Sequence, residues 1–160
     1  MKALIIYDSK YGNTKQVAEA IAGSLEDARV VPVGEADLVE LKGYDLLIVG
    51  SPTQGGRPTP AVSKFIAAIP AASLSNTRVA TFDTRISAAG KNALMRFFLG
   101  LVGYAAGRIA RPLKARGGKL VAPPEGFLVK DTEGPLEAGE LERAAEWAKR
   151  LAGAEAASPR

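Results

Sequence analysis

The chain has 160 residues, 47% hydrophobic and 24% charged, with a formal net charge of +4 and a pI near 9.4, the composition of one globular domain able to bury a core. It contains no cysteine and no histidine, which excludes disulfides, thiolate nucleophiles, Cys/His zinc sites and imidazole acid–base chemistry. No catalytic residue and no metal ligand is assigned, so reactivity has to come from a bound cofactor or from carboxylates and hydroxyls.

The first apolar run, ALIIY (Ala3 to Tyr7), predicts a strand and stops at Asp8. That run is shorter than the ~7–15 apolar residues of a secretion signal, and no later run reaches the ~20 needed to span a bilayer. A cytoplasmic protein without a membrane span is therefore expected. SKYGNT (Ser9 to Thr14) follows, almost all hydroxyl, amide or glycine, and leads into a helix with Val17, Ile21 and Leu25 at fourfold spacing. RVVPV (Arg29 to Val33) and DLLIVG (Asp45 to Gly50) predict the second and third strands. Behind the third lies GSPTQGGRPTP, then a helix with Val62, Phe65, Ile66 and Ile69 on one stripe. RVATF (Arg78 to Phe82) is the fourth strand and opens into TFDTRISAAG.

From about Ala88 to Lys114 a long apolar segment is interrupted by Gly100, Gly103 and Gly107, which implies a bend or a close approach to a neighbour. Its end overlaps a basic run, Arg108, Arg111, Lys114, Arg116 and Lys119, with no acid between them. Such a run suits either an acidic partner or a solvated helix end; no aromatic interleaving points to nucleic acid. KLVA (Lys119 to Ala122) predicts the fifth strand, and a further short strand is expected at Phe127 to Val129. The last helix is expected from near Pro135, burying Leu141, Ala144, Ala145, Ala148 and Leu151. One domain over 1–153 results, with residues 154–160 as a frayed tail.

Short continuous apolar runs suit strands covered on both faces. Alternated with helices, they predict an α/β three-layer sandwich around a five-stranded parallel sheet. In such sheets ligands bind beyond the carboxyl ends of the strands, which is where SKYGNT sits. The helix behind it offers unpaired N–H groups and a positive dipole end, which suit a phosphate. Asn13 and Thr14 are also ordinary N-cap residues, but one cap accounts for one residue and not for Ser, Gly, Asn and Thr together. Neither GxxxxGK[ST] nor GxGxxG is present, and Gly50 and Ser51 stand where a receiver domain would end its third strand on an acceptor aspartate.

SKYGNT resembles the FMN phosphate loop of flavodoxins, and GSPTQGGRPTP resembles their loop after the third strand, as in the flavodoxin module of flavodiiron proteins. The resemblance covers essentially the whole chain and implies the flavodoxin-like strand order 2-1-3-4-5. It also implies FMN as cofactor, with Ser9, Tyr11, Gly12, Asn13 and Thr14 around the phosphate and Lys10 adding diffuse field. Pro52, Thr53, Gln54, Gly55 and Gly56 would line the ring, and Asp83, Thr84 and Arg85 would face its pyrimidine end. A guanidinium at Arg85 would favour negative charge on the reduced ring. Two departures stand out. Neither ring loop holds the aromatic that many flavodoxins stack on the flavin, which leaves Tyr11 and Phe82 as the nearest candidates. Flavodoxins are usually acidic, whereas this chain is basic.

The resemblance implies an FMN-binding electron-transfer protein that shuttles electrons between redox partners; the basic charge of this chain would suit acidic ones, and no nucleic acid is involved. An FMN-dependent NAD(P)H:quinone-type reductase and a flavin-free binding or regulatory module are the alternatives. The short loops after the third and fourth strands disfavour the former, and the intact first loop disfavours the latter.

Overall fold

A computed structural model gives the fold for residues 1–87, 93–94 and 103–154. In chain order it contains β1 (Lys2–Tyr7), α1 (Asn13–Gly23), β2 (Asp27–Pro32), two 3-10 turns (Val33–Glu35 and Leu38–Gly43), β3 (Leu46–Pro52) and α2 (Pro60–Ala68). There follow β4 (Arg78–Ile86), α3 (Ala105–Ala115), β5 (Lys119–Leu120), β6 (Glu125–Val129) and α4 (Glu140–Gly153). The strands pair all parallel, as the apolar runs predict, and in the order β2-β1-β3-β4-β5 that the resemblance implies. The fifth position is filled by two pieces: β5 pairs with Arg78 and Val79, and β6 pairs with Phe82 to Ile86. Pro123 and Pro124 lie between them and have no N–H to donate to a ladder. KLVA accordingly ends as a strand at Leu120, and the anticipated extra strand starts two residues early, at Glu125.

Register decides which helix each strand residue meets. Leu4, Leu47 and Val79 form one cross-strand row and pack with Val62, Ile66, Ile109 and Leu113 under α2 and α3. Ile5, Ile48 and Ala80 form the next row and face α1 and α4 with Val17, Ile21, Ala144 and Trp147. Both sheet faces are thus covered, which is why the central strands read as continuous apolar runs instead of alternating.

Gly50 solves a packing problem in the row Tyr7, Gly50, Phe82. A Cβ on Gly50 would lie 2.1 Å from the Phe82 ring, so the absence of a side chain is what lets that ring lie across β3. Phe82, Phe127 and Trp147 then meet edge to face with centroids 5.9 to 6.2 Å apart, an arrangement that adds about 0.5–1.5 kcal/mol per pair beyond area burial. Phe82 is fully buried there. It therefore cannot be the stacking aromatic the sequence put forward.

Two helical expectations are corrected. The last helix starts at Glu140, not near Pro135: Gly134–Pro135 is a cis peptide, and Leu136 bridges to Val129 in the antiparallel sense. Leu141 is 38% exposed, and Trp147 takes the inward place, because the buried stripe runs through Ala144, Trp147, Ala148 and Leu151. Of the long segment from Ala88, residues 93–94 and 103–114 fall within the described residues: Gly103, with φ 78°, stands just before α3 and Gly107 lies inside it, whereas Gly100 lies outside the described residues, as does the tail beyond Ala154. The basic run is also not uniform. Arg116 donates to the carbonyls of Ile69 (2.9 Å), Pro112 (3.2 Å) and Ala67 (3.3 Å), so it ties the ends of α2 and α3 together.

Arg143 pins α4 to β6. Its guanidinium lies 4.6 Å from the Phe127 ring centroid, donates to Glu140, to Glu125 (2.9 Å) and to the Gly126 carbonyl, and is held well above its ordinary pKa chiefly by Glu140. Glu140 also accepts from the Leu128 N–H at 2.7 Å. Hydrogen bonding from Arg143 holds its carboxyl below the ordinary value of 4.5. The folded carboxyl thus binds its proton less readily than the unfolded one, so this contribution is complete above about pH 5 and is lost as pH falls through and below 4.5. Arg143→Met should lower stability by about 1.5–3 kcal/mol near pH 7 and flatten the acid limb, read by urea unfolding at pH 7 and at pH 4. A variant with an unchanged acid limb would show that Glu140 does not depend on Arg143.

Candidate functional site

The carboxyl ends of β1, β3 and β4 open into one cleft of about 460 Å³. Its lining comprises Ser9, Lys10, Tyr11, Asn13, Thr14, Pro52, Thr53, Gln54, Gly55, Thr84 and Arg85, together with Ile86, Val129 and Thr132. The structure therefore brings together eleven of the fourteen residues singled out in the sequence. Gly12, Gly56 and Asp83 lie outside the lining, and each shapes it from behind. Ile86 and Val129 follow from extensions that a short-strand reading does not give, since β4 continues four residues past Phe82 and β6 pairs alongside it. Thr132 sits in the β6–α4 connection, where no local pattern marks it.

The first wall is the start of α1. Gly12 is the N-cap residue, with φ 91°, and no side chain caps the helix. The left-handed backbone excludes an ordinary residue there. Asn13 and Thr14, the two candidate caps, are engaged elsewhere: the Asn13 amide donates to the Glu133 carbonyl at 3.1 Å, and Thr14 Oγ1 lies 2.8 Å from Thr84 Oγ1. Ser9 Oγ accepts the Gly12 N–H at 3.0 Å and closes the loop on itself. The first-turn amides thus meet the cleft without a protein cap, in the positive end of the helix dipole. In the Thr14–Thr84 pair one hydroxyl spends its proton on the other, and the second keeps its own for a third group.

The second wall is a tight turn. Gln54 and Arg57 exchange backbone hydrogen bonds of 2.8 and 3.0 Å around Gly55 and Gly56, both with positive φ. Such a two-residue turn requires left-handed backbone at both centres, which is what paired glycines supply. Behind it, Thr59 Oγ1 donates to Asp8 Oδ2 at 2.6 Å, and the Thr59 N–H donates to Ser51 Oγ at 2.9 Å. The turn is therefore fixed to the ends of both β1 and β3.

The third wall differs from the expectation for it. Asp83 is fully buried and does not face the cleft. Its Oδ1 accepts from Arg85 Nε at 2.7 Å, while Oδ2 accepts from Arg85 Nη2 at 2.8 Å and from the Ala106 N–H of α3 at 2.9 Å. The Arg85 guanidinium is stacked 3.6 Å from the centre of the Tyr104 ring. On Gly126 a Cβ would fall 2.2 Å from Arg85 Nε, so the guanidinium occupies the space a side chain would take. Arg85 reaches the cleft, but as half of a neutral pair, and its pull on a neighbouring negative charge is offset by Asp83. Tyr104 was not evident from sequence, because it lies 19 residues beyond Arg85 and only the start of α3 brings it back. Tyr11 is 43% exposed at the cleft mouth, with Lys10 Nζ 5.3 Å from its ring centre.

Chemically this cleft has a floor of neutral hydrogen-bond donors between two loop walls, one glycine-rich and one hydroxyl- and guanidinium-bearing. Removing the carboxylate by Asp83→Ala should strand Arg85 and one α3 amide and cost about 3 kcal/mol. Asp83→Asn should cost less, and guanidinium chloride unfolding orders the two. Equal stability for wild type and Asp83→Ala would mean the pair does not anchor β4 to α3.

A flavodoxin domain family model matches residues 4–123. The chain is 41% identical over 69 residues to a flavodoxin of Aquifex aeolicus (strain VF5), a stretch that covers 40% of this chain and 37% of that relative. Among solved structures it resembles a flavodoxin from the domain Archaea, with 26% identity and TM-score 0.74, covering 96% of this chain and 97% of the other. It also shares the fold of oxidised Flavodoxin 2 from Bacillus cereus, with 24% identity and TM-score 0.73 over 96% and 99% of the two chains.

Proposed function

We propose that this chain, which belongs to the flavodoxin family, holds FMN in the cleft and passes electrons between redox partners through it. The observation that carries this reading is the uncapped start of α1, where Gly12 is the cap residue and Ser9, Asn13 and Thr14 surround open first-turn amides. A phosphate monoester matches that donor set, because it accepts several hydrogen bonds at once and gains from the dipole without a lysine in contact. The family supplies the identity of the rest of the ligand.

In this reading the phosphate rests on the α1 amides, Ser9 and Thr14, and Asn13 holds the loop closed against the Glu133 carbonyl. Thr84 orients Thr14 by donating to its hydroxyl, which leaves Thr14 the spare proton of the pair for the phosphate. Pro52, Thr53, Gln54 and Gly55 line one side of the ring, with Gly56 allowing the turn that presents them. Thr84, Arg85 and Ile86 line the other, and Asp83 fixes Arg85 from beneath. Lys10 contributes long-range field, and Tyr11 covers the mouth. Bound FMN would supply the electron-carrying chemistry, while these residues bind it, orient it and keep water from its inner edge.

Calorimetric titration of FMN and riboflavin into wild type and the Ser9→Ala/Thr14→Ala variant tests the assignment. Each lost bond to a charged acceptor costs ~1.5–3 kcal/mol, so FMN affinity should fall at least about tenfold while riboflavin affinity stays level. Equal losses for both ligands would overturn the phosphate site, and a protein that takes up no FMN would overturn the cofactor. Steady consumption of NAD(P)H by the loaded protein with a quinone present would replace the carrier reading with the reductase one.

A further inference from the structure

The charge of this chain is segregated along the sequence. Residues 53–124 hold eleven Lys and Arg and a single acid, Asp83, whereas the other 88 residues hold ten Lys and Arg and sixteen Asp and Glu. Asp83 is fully buried and spent on Arg85. The fold turns this into a spatial separation, since 53–124 includes both helices of one layer, α2 and α3, and neither contains an acid. Their exposed faces carry Lys64, Arg108, Arg111 and Lys114.

The same layer reaches the cleft. Arg57 and Arg108 line a shallow groove of about 400 Å³ with Pro58, Pro60 and Ser63. Arg57 closes the turn that begins at Gln54, and Gln54 lines the cleft. The groove is therefore one two-residue turn away from the cleft wall, and Thr59 fixes that turn to Asp8 and Ser51.

We infer that the Arg57–Arg108 groove is the docking surface for a redox protein with an Asp/Glu-rich face, and that the α3 cations steer it there. A guanidinium fork such as that of Arg57 pairs with a carboxylate in two-point geometry, and the exposed Arg108 adds positive charge beside it. The prolines between them give a rigid apolar centre of the kind an interface core needs. An anionic membrane or a duplex would read the whole cationic layer without regard to the cleft. The cations beside the Gln54–Arg57 turn favour an occupant that exchanges electrons at that wall. This inference rests on the flavin reading above.

An acidic [2Fe–2S] ferredoxin carrying a fluorescent label serves as the probe, with anisotropy read on apo and FMN-loaded protein. Raising ionic strength from about 0.01 M to about 0.15 M shortens the screening length from about 30 Å to about 8 Å and should weaken binding at least about tenfold. At low salt Arg57→Glu with Arg108→Glu should weaken it by at least about tenfold again, and Arg108→Glu alone, away from the cleft wall, should weaken it with FMN affinity unchanged; Lys149→Glu, on α4 in the opposite layer, should shift it by less than about twofold. Absence of ferredoxin binding at low salt would overturn the inference, as would binding indifferent to the Arg57/Arg108 substitutions. So would tighter capture of phosphatidylserine vesicles or duplex DNA through the same two arginines. Protein that takes no FMN yet binds ferredoxin through Arg57 and Arg108 would sink the flavin reading and leave the surface standing. FMN-loaded protein that ignores ferredoxin would do the reverse.

Discussion

Parallel register at the carboxyl end of the sheet is the constraint on which the rest depends. Tyr7, Gly50 and Phe82 stand in one row, the last apolar layer of β1, β3 and β4. One residue further along lie Asp8, Ser51 and Asp83, which turn to the other face, and all three are hydrogen-bond anchors. Asp8 and Ser51 both hold Thr59, and Asp83 holds Arg85 and the start of α3. Polar groups at this depth have to be paired, because an unsatisfied one costs ~1–3 kcal/mol. Pairing them fixes the loops. A slip of one residue in any strand would bring its anchor to the wrong face and release the wall it supports.

The cleft owes its form to conformations that only glycine adopts easily and to gaps that only glycine leaves. Gly12 swings the chain into α1 without a side-chain cap, and Gly55 with Gly56 makes the Gln54–Arg57 turn tight enough to stand upright. Gly126 gives the Arg85 guanidinium its seat. The result is a preorganised cleft, whose loops are already fixed by protein contacts, so that a ligand would have little ordering left to impose.

Electrostatics divides the molecule by layer. The α2–α3 layer gains its charge from the absence of acids over a long stretch of chain, and Arg116 is withdrawn from it by its carbonyl partners. On the other face, Arg143 spends its charge locally on Glu140 and Glu125. Counting cations in a sequence window does not show that Arg116 ties α2 to α3, because that depends on which carbonyls come within its reach.

Much of the fold was legible in the sequence because the signals were local and physical. Continuous apolar runs between amphipathic stripes imply a parallel sheet buried on both faces, whatever the details of packing. SKYGNT after the first strand and the paired glycines in GSPTQGG placed the two loops that now wall the cleft. Contacts between distant segments were not legible. Phe82 is an aromatic beside a loop in sequence, and only Gly50, Phe127 and Trp147 make it core. Asp83 and Arg85 read as two site residues, and the third partner, the Ala106 amide, makes them a strut between β4 and α3, with Asp83 buried and Arg85 reaching the cleft. Tyr104, Thr132 and the start of the last helix at Glu140 were decided the same way. The sequence by itself determined strands, helices and loop chemistry, because these depend on neighbours one to four residues apart. Tertiary structure alone decided which polar groups pair with each other and which remain for a ligand, because pairing depends on distances in space that sequence spacing does not contain.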